Sequence, residues 1–388
     1  MNYGTQITRK AWLDVFVRAK NRIITRQQYR ILARFGKMPF QSPRSMLVSR
    51  IARRLVGGYV YSIKLEVNDY CNLKCKMCYV EKSRTDLPDE LIFGLLDQLR
   101  GQGVRLEILG GEPLMRKNIL DIIRYAKEAS GIPFLSLYTN GTAVNREMAE
   151  ELREAGLDAV LVTLVSHRQM VHDAFTGIPG SWQQTVDGIQ ELVKADIATY
   201  SFTTVHAYNS EDCKDIYRYV KNELGAHSLF YQYIPQQKND PLLIPPARWQ
   251  QIKNWILLEE NPAHASFVRD FYMISGNACS GGNFVFTVKV DGSVQPCPFI
   301  ANMSLGNIRD ATIWKIFRER FASRDLVSFK SIPQECRECA YSSICGGGCK
   351  AGNDKYLGDY NCKDLRCPGP YSKVRAKEEV MADIPTFF

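Results

Sequence analysis

From residue 61 onward, short β-rich runs alternate with longer amphipathic runs in which apolar residues recur every third or fourth position. The first kind comprises YSIKLEV (61–67), RLEIL (105–109), FLSLYT (134–139), AVLVTL (159–164), YSFTTV (200–205) and LFYQYI (229–234). Between them lie ELIFGLLDQL, ILDIIRYAKEA, EMAEELREAG, WQQTVDGIQELVK and CKDIYRYVKNEL, each with one apolar stripe at helical spacing. Six strands alternating with helices predict an α/β fold with a parallel sheet and right-handed crossovers. Periodicity alone leaves open whether that sheet closes. The segment 235–275 turns to loop and helix, and NFVFTVKVDGSVQPC (283–297) predicts a hairpin turning at Asp291–Gly292.

The first 58 residues follow another rule. Trp12, Phe16, Ile23, Tyr29, Leu32 and Phe35 are spaced among basic residues as on a helix, which breaks at Pro39 and Pro43. Thirteen Lys and Arg face a single acid, Asp14, so this arm carries +12 of a chain total of +9. The rest is therefore slightly acidic, and the basicity belongs to the arm. No run reaches the roughly 18 apolar residues of a membrane span, and the N-terminus lacks a secretory apolar core. The expectation is a cytoplasmic protein with a basic helical arm over 1–58, an α/β body over 59–270 and a further domain over 271–388.

Twelve cysteines change the picture. In a cytoplasmic chain structural disulfides are disfavoured, and these residues cluster as ligands do. Cys71, Cys75 and Cys78 form C-x3-C-x2-C just after the first strand, eight more fall within 279–367, and Cys213 stands apart. Three thiolates in one short loop can hold three irons of a [4Fe–4S] cluster and leave the fourth iron for an exchangeable ligand. A structural zinc site would want a fourth ligand close by, and the neighbouring sequence offers neither Cys nor His.

This loop resembles the signature of the radical S-adenosylmethionine superfamily. Gly110-Gly111-Glu112-Pro113, after the second strand, resembles that family's second motif. The resemblance implies a partial (β/α)6, TIM-like barrel, with S-adenosylmethionine chelating the open iron. Reductive cleavage then yields a 5′-deoxyadenosyl radical that takes a hydrogen atom from substrate, with flavodoxin or ferredoxin as electron donor. It implies cofactor contacts at Gly110, Gly111, Glu112 and Pro113, where bare backbone would approach the cofactor's ammonium. Thr139 and Asn140 at the third strand's end, Thr163 at the fourth's, and Met77 and Tyr79 beside the adenine complete the set. Val165 stands where relatives carry the Asp of a Ser-x-Asp strand end, so the ribose contact there is missing.

Cys279, Gly292-x4-Cys297, Cys336-x2-Cys339-x5-Cys345-x3-Cys349 and Cys362 resemble the SPASM extension, in which seven cysteines support two auxiliary [4Fe–4S] clusters. By position, Cys279, Cys297 and Cys349 are expected on the first. Cys336, Cys339, Cys345 and Cys362 are expected on the second. No cysteine falls between Cys279 and Cys297, so the first cluster keeps an open iron or takes Cys367. A tetrathiolate zinc is the alternative for the C-x2-C-x5-C part. Auxiliary clusters would accept the electron of a substrate radical or ligate the substrate.

The leading expectation for substrate, from SPASM-bearing relatives, is a ribosomally made peptide or protein. Pro298, where sulfatase-maturing relatives carry Asp, argues against that subgroup. The arm is also shorter than a peptide-recognition domain. A competing reading gives the arm an anionic membrane surface and the enzyme a lipid, a lipid-linked glycan or a small anionic metabolite such as a tetrapyrrole. RNA is the least favoured partner. A zinc-binding interaction module or a cluster-bearing electron carrier is the non-enzymatic alternative. Cys213 opens a helix, either as a hydrogen-atom donor or as a packed spectator, and the five histidines form no metal-ligand pair.

Overall fold

All six expected strands form, and all are parallel. They are β1 (Ser62–Glu66), β2 (Arg105–Leu109), β3 (Leu135–Thr139), β4 (Ala159–Thr163), β5 (Ala198–Val205) and β6 (His227–Gln232). The computed structural model describes residues 62–260, 279, 281–282, 285–300, 302–340, 342, 346–367 and 369–372. The basic arm and Cys345 lie outside the described residues.

The strands run in the order β6-β5-β4-β3-β2-β1, each neighbour pair joined by at least one helix. Those helices are α1 (Asp89–Leu99), α2 (Ile119–Arg124), α3 (Arg146–Glu154), α4 (Gln169–Thr176), α5 (Ser181–Lys194) and α6 (Cys213–Arg218). Helices α2 and α6 each pass into a π turn, Tyr125–Ala129 and Tyr219–Glu223. Two further strands extend the sheet at β1. β7 (Val285–Val288) pairs parallel with β1, and β8 (Val294–Gln295) returns antiparallel to it. The result is an open, mostly parallel sheet, a partial barrel.

The expected hairpin is present, with Gly292 at φ +83° and its N–H bonded to the Lys289 carbonyl at 2.9 Å. A Cβ at Gly292 would lie 2.7 Å from Asn307 Oδ1, which is why this turn takes glycine.

Alternation along the strands sorts two chemistries onto two faces. Ile63, Leu65, Leu106, Ile108, Leu135, Leu137, Val160 and Val162 are fully buried on the helix-covered face. Leu95, Leu96, Ile122, Leu152, Ile189 and Leu192 supply the matching apolar stripes of the helices. Each such side chain contributes about 1.5–3 kcal/mol of burial, and this layer holds the barrel together. The other face carries Ser62, Lys64 and Glu66 on β1, Glu107 on β2, Tyr138 on β3, Tyr200 and Phe202 on β5, and Tyr231 on β6. Parallel strands buried on both faces usually read as unbroken apolar runs. Here the concave face is polar and aromatic.

The described residues form two compact units. One holds 62–233 and 285–320; the other holds 234–282 and 321–372. The hairpin and Cys297 therefore belong with the sheet, because β7 completes it beside β1. The first unit ends with α8 (Ile313–Glu319), capped by Thr312 and tied to α1 through Trp314 Nε1 to the Gln98 carbonyl at 2.8 Å. The second unit contains α7 (Pro246–Glu260), α9 (Arg324–Phe329) and α10 (Lys350–Leu357). No helix among the described residues is long and apolar enough to cross a membrane.

Candidate active site

The three clustered cysteines sit on the loop leaving β1, and each leg of that loop is fastened to a different element. On the first leg, the Asn68 and Tyr70 carbonyls accept from the N–H groups of Gly111 and Glu112 at 2.9 and 2.8 Å, and Asn68 Nδ2 returns a bond to the Glu112 carbonyl at 2.8 Å. On the second, the N–H groups of Lys74 and Lys76 donate to the carbonyls of Thr176 and Phe175 at the end of α4, at 2.8 and 3.0 Å. Leu73 is buried between them, and Lys82 Nζ donates to its carbonyl at 2.6 Å.

The GGEP glycines have a local cause. A Cβ on Gly111 would stand 2.1 Å from the Tyr70 carbonyl oxygen, and one on Gly110 would stand 2.4 Å from that of Asn68. The bare backbone thus packs against the cysteine loop itself.

Glu112 is 1% exposed and uses its carboxylate as a structural hub. Oε1 accepts from Thr139 Oγ1 at 2.7 Å and from Leu114 N at 3.0 Å, while Oε2 accepts from Asn140 N at 2.7 Å. Burial pushes its pKa up, and these bonds oppose the rise. Asn140 in turn donates through Nδ2 to Asn72 Oδ1 at 2.8 Å and reaches Cys71 Sγ at 3.7 Å. Asn72 Nδ2 closes a ring by donating to Thr142 Oγ1 at 2.8 Å. The end of β3 and GGEP therefore hold Cys71 together. Asn72 and Thr142 carry no motif of their own, so sequence reasoning passed over them.

The thiols are a poor place to leave anions unaided. Burial, followed by the charges of Cys71 and Cys78, pushes the Cys75 thiol up to about 12. Burial also raises Cys71, with Glu112 adding to the rise and Lys82 opposing it. Two neighbouring thiols that resist ionisation, Cys71 and Cys75, need a multiply charged cation to become thiolates, which fits an iron–sulfur cluster. Among the described residues no three His, Cys, Asp or Glu side chains close on one point as ligands of a single ion do.

The softer positions are placed as follows. Thr163 ends β4, half-buried. Just beyond it, Val165 is packed, its N–H bonded to His172 Nδ1 at 3.3 Å and its carbonyl to Asn209 Nδ2 at 2.8 Å. Met77 is half-buried. Tyr79 stands 4.6 Å from the Phe299 ring, with Lys289 Nζ 5.4 Å over its face. Burial first, then Glu66, Cys78 and Cys297, raise its phenol well above the usual range. Glu66, 1% exposed, accepts from Lys289 Nζ at 2.7 Å. Tyr79, Glu66 and Lys289 thus form one polar cluster.

Deeper on the concave face, Glu107 accepts from Ser62 Oγ and Lys64 Nζ, both at 2.5 Å, and from Tyr138 Oη at 3.1 Å. Burial would raise this carboxyl, but Lys64 and Arg105 outweigh it and hold Glu107 at about 2. Above this floor the rings form a wall. Tyr138 meets Phe202 edge-on at 5.6 Å, and Phe202 stacks on Tyr231 at 4.1 Å.

In the second unit, Cys336 and Cys339 share a tight turn, Cys339 N donating to the Cys336 carbonyl at 3.1 Å. The segment 367–371 folds onto that turn: Ala340 N donates to the Tyr371 carbonyl at 2.8 Å and Tyr371 N to Cys339 Sγ at 3.4 Å. Cys367, its Sγ accepting from Gly369 N at 3.3 Å, is on this segment, and after burial it is the largest influence on the Cys336 thiol. The Cys362 thiol donates to the Asp359 carbonyl at 3.0 Å. This grouping differs from the expected one, which placed Cys362 with Cys336 and Cys339 and lent Cys367 to the first auxiliary cluster. Burial raises the Cys349 thiol, Arg366 opposes the rise, and Asp364 and then Cys279 add to it; the Cys349 N–H donates to Asp364 Oδ2 at 2.6 Å. Cys213 is 2% exposed, its Sγ 3.6 Å from the Asn209 carbonyl.

Comparison with known proteins agrees with this geometry. Residues 65–220 match the radical SAM superfamily, and residues 279–340 match the SPASM iron–sulfur cluster-binding domain. An AdoMet-dependent heme synthase of Oleidesulfovibrio alaskensis is 26% identical over 79% of this chain and 86% of its own length. An Fe-coproporphyrin III synthase of Methanosarcina barkeri is 26% identical over 76% and 85%. Among solved structures, Streptococcus suis SuiB bound to its precursor peptide SuiA superposes with a TM-score of 0.66, at 15% identity, over 82% of this chain and 79% of that one. The chain belongs to the radical S-adenosylmethionine superfamily, in its SPASM-bearing branch, and is an enzyme of [4Fe–4S] clusters and S-adenosylmethionine.

Proposed function

We propose that this enzyme directs its radical chemistry at a carboxylate-bearing tetrapyrrole. When bound, the catalytic cluster and S-adenosylmethionine supply a 5′-deoxyadenosyl radical that removes a hydrogen atom from substrate. The chain's residues provide the rest. Cys71, Cys75 and Cys78 are the cluster ligands, and Glu112, Asn140 and Thr142 fix the loop that carries them. Cys279, Cys297, Cys336, Cys339, Cys345, Cys349 and Cys367 are the auxiliary ligands.

The observation that carries the substrate reading is the ring wall of the concave face. Tyr138, Phe202 and Tyr231 give a stiff aromatic surface, and Tyr231 is 41% exposed although apolar in its body. Flat conjugated molecules gain from such surfaces by stacking. The names of the sequence relatives point the same way.

Peptide modification is the second reading, and one observation favours it: β6 ends the described sheet, and an edge strand can take up an extended peptide by strand addition. Anaerobic titration with iron coproporphyrin III, followed optically, separates the two. The tetrapyrrole reading expects a saturating spectral shift, weakened by Tyr231→Ala, and porphyrin-dependent release of 5′-deoxyadenosine. No shift, with release stimulated instead by a precursor peptide encoded beside the gene, would give the assignment to peptides.

A further inference from the structure

Lys350 opens α10 immediately after Cys349, and it is 1% exposed. Lysine is almost never buried to that degree unless its charge is matched. Its Nζ donates to the Ser331 carbonyl at 3.0 Å. The niche is made by Gly347, whose φ is +93°; a Cβ there would stand 3.1 Å from Nζ and 2.5 Å from Pro333 Cδ. A carbonyl dipole satisfies one of three N–H donors and leaves the charge itself uncompensated.

The other buried cation of this unit is handled differently. Arg366 is 6% exposed and bonded to the Asp364 carboxylate, Nε to Oδ1 at 3.1 Å. Lys330 donates to the carbonyls of Cys279 and Gly281 at 2.7 and 2.9 Å, which anchors the Cys279 loop. Among the described residues Lys350 forms no ion pair with a carboxylate. Burial lowers its pKa and Lys330 adds to the fall, while the charges of Cys279, Cys336 and Cys362 oppose it. Lys350 follows Cys349 in the chain, and the carbonyl of Pro333, which lines its niche, accepts from Cys336 N at 3.0 Å.

We propose that Lys350 is the buried countercharge of the auxiliary iron–sulfur centres and raises their reduction potentials. A cluster that gains an electron gains negative charge, and a fixed ammonium in a low-dielectric setting stabilises that reduced form. Lys350 acts through the clusters and is a positioning residue for charge. The inference rests on the reading of Cys279, Cys336 and Cys349 as cluster ligands.

The test is an EPR-monitored redox titration, with metal analysis, of the anaerobically reconstituted full chain and of Lys350→Met, Lys350→Gln and Lys350→Arg. The catalytic cluster's signal serves as the internal control. Met and Gln should keep their iron while the auxiliary midpoints fall by at least a tenfold change in the reduction equilibrium, about 59 mV for one electron. Arg should restore them. Loss of auxiliary iron in Met and Gln but retention in Arg would also support a charge requirement. Wild-type midpoints in Met and Gln, or equal loss of iron in all three variants, would overturn it. Zinc in place of iron in the wild-type chain would instead remove the cluster reading beneath it.

Discussion

The two cysteine-bearing regions solve one problem, assembling thiolates, with opposite electrostatics. Around Cys71, Cys75 and Cys78 the lysines Lys74, Lys76 and Lys82 are exposed, the carboxylate of Glu112 is buried, and order comes from backbone bonds to strand ends and to α4. Around the C-terminal cysteines, Lys350 and Arg366 are buried and Lys330 is half-buried, and order comes from loops wrapped on these cations. The barrel site has to leave room for an incoming cationic cofactor, so a permanent buried cation there would repel it. A site that only stores or passes electrons has no such restriction and can hold its countercharge permanently.

The largest expected effect lies on the barrel side. Cys75→Ala should remove about four of some twelve irons and abolish reductive cleavage of S-adenosylmethionine. Iron determination and 5′-deoxyadenosine assay check this, and cleavage at the wild-type rate would refute the ligand assignment. On the other side, Cys367→Ala and Cys362→Ala separate the two candidates left by the C-terminal spacing. Folding of 367–371 onto the Cys336–Cys339 turn predicts loss of about four irons in the first variant and full retention in the second. The opposite pattern, read by Mössbauer spectroscopy, would restore the spacing-based grouping.

That contrast also marks how far the sequence was legible. The six strands were readable because most of their helix-facing positions are apolar, with Thr199, Ser201, Thr203 and Ser228 among the exceptions, so the pattern survived despite Lys64, Glu66 and Glu107 on the concave face. Helix α4 was missed: in QMVHDAFT the buried positions are His172, Phe175 and Thr176, and two of these three are polar. The cysteine loop and GGEP were readable because each is one contiguous stretch. What lay across the chain was not. The bond from Asn140 to Asn72 spans 68 residues, and Tyr371 meets Cys339 across 32. Lys350 reads in sequence as an ordinary exposed charge, and only the fold reveals its burial.

A smaller effect should follow Glu112→Gln. Its carboxylate accepts three bonds, and an amide must turn its NH2 toward groups that are themselves donors. A buried donor left unmatched costs about 1–3 kcal/mol, and by analogy with residues that orient metal ligands, activity should fall roughly 10–100-fold. Auxiliary iron should be untouched, since no group of the second unit is involved. Equal loss of both kinds of iron would mean that Glu112 supports folding in general, not the catalytic loop.

The smallest effect separates the two regions by acid. His172 and His206 are both 0% exposed in the barrel unit, and burial holds each at about 4, with Lys76 pushing His206 the same way. His206 stacks on Phe175 at 4.0 Å, the residue whose carbonyl receives the cysteine loop. A histidine whose folded pKa lies below its unfolded value near 6.5 binds its proton first in the unfolded chain. Stability is therefore full above about pH 6.5 and declines as the pH falls toward 4, below which nothing further is lost. Each residue contributes about 2 kcal/mol to the difference between pH 7 and pH 5. His172→Gln, whose amide oxygen can still accept from Val165 N, should lose that share of the slope in anaerobic urea unfolding. An unchanged slope would show that acid weakens the barrel through its carboxylates, not through the two histidines behind the cysteine loop.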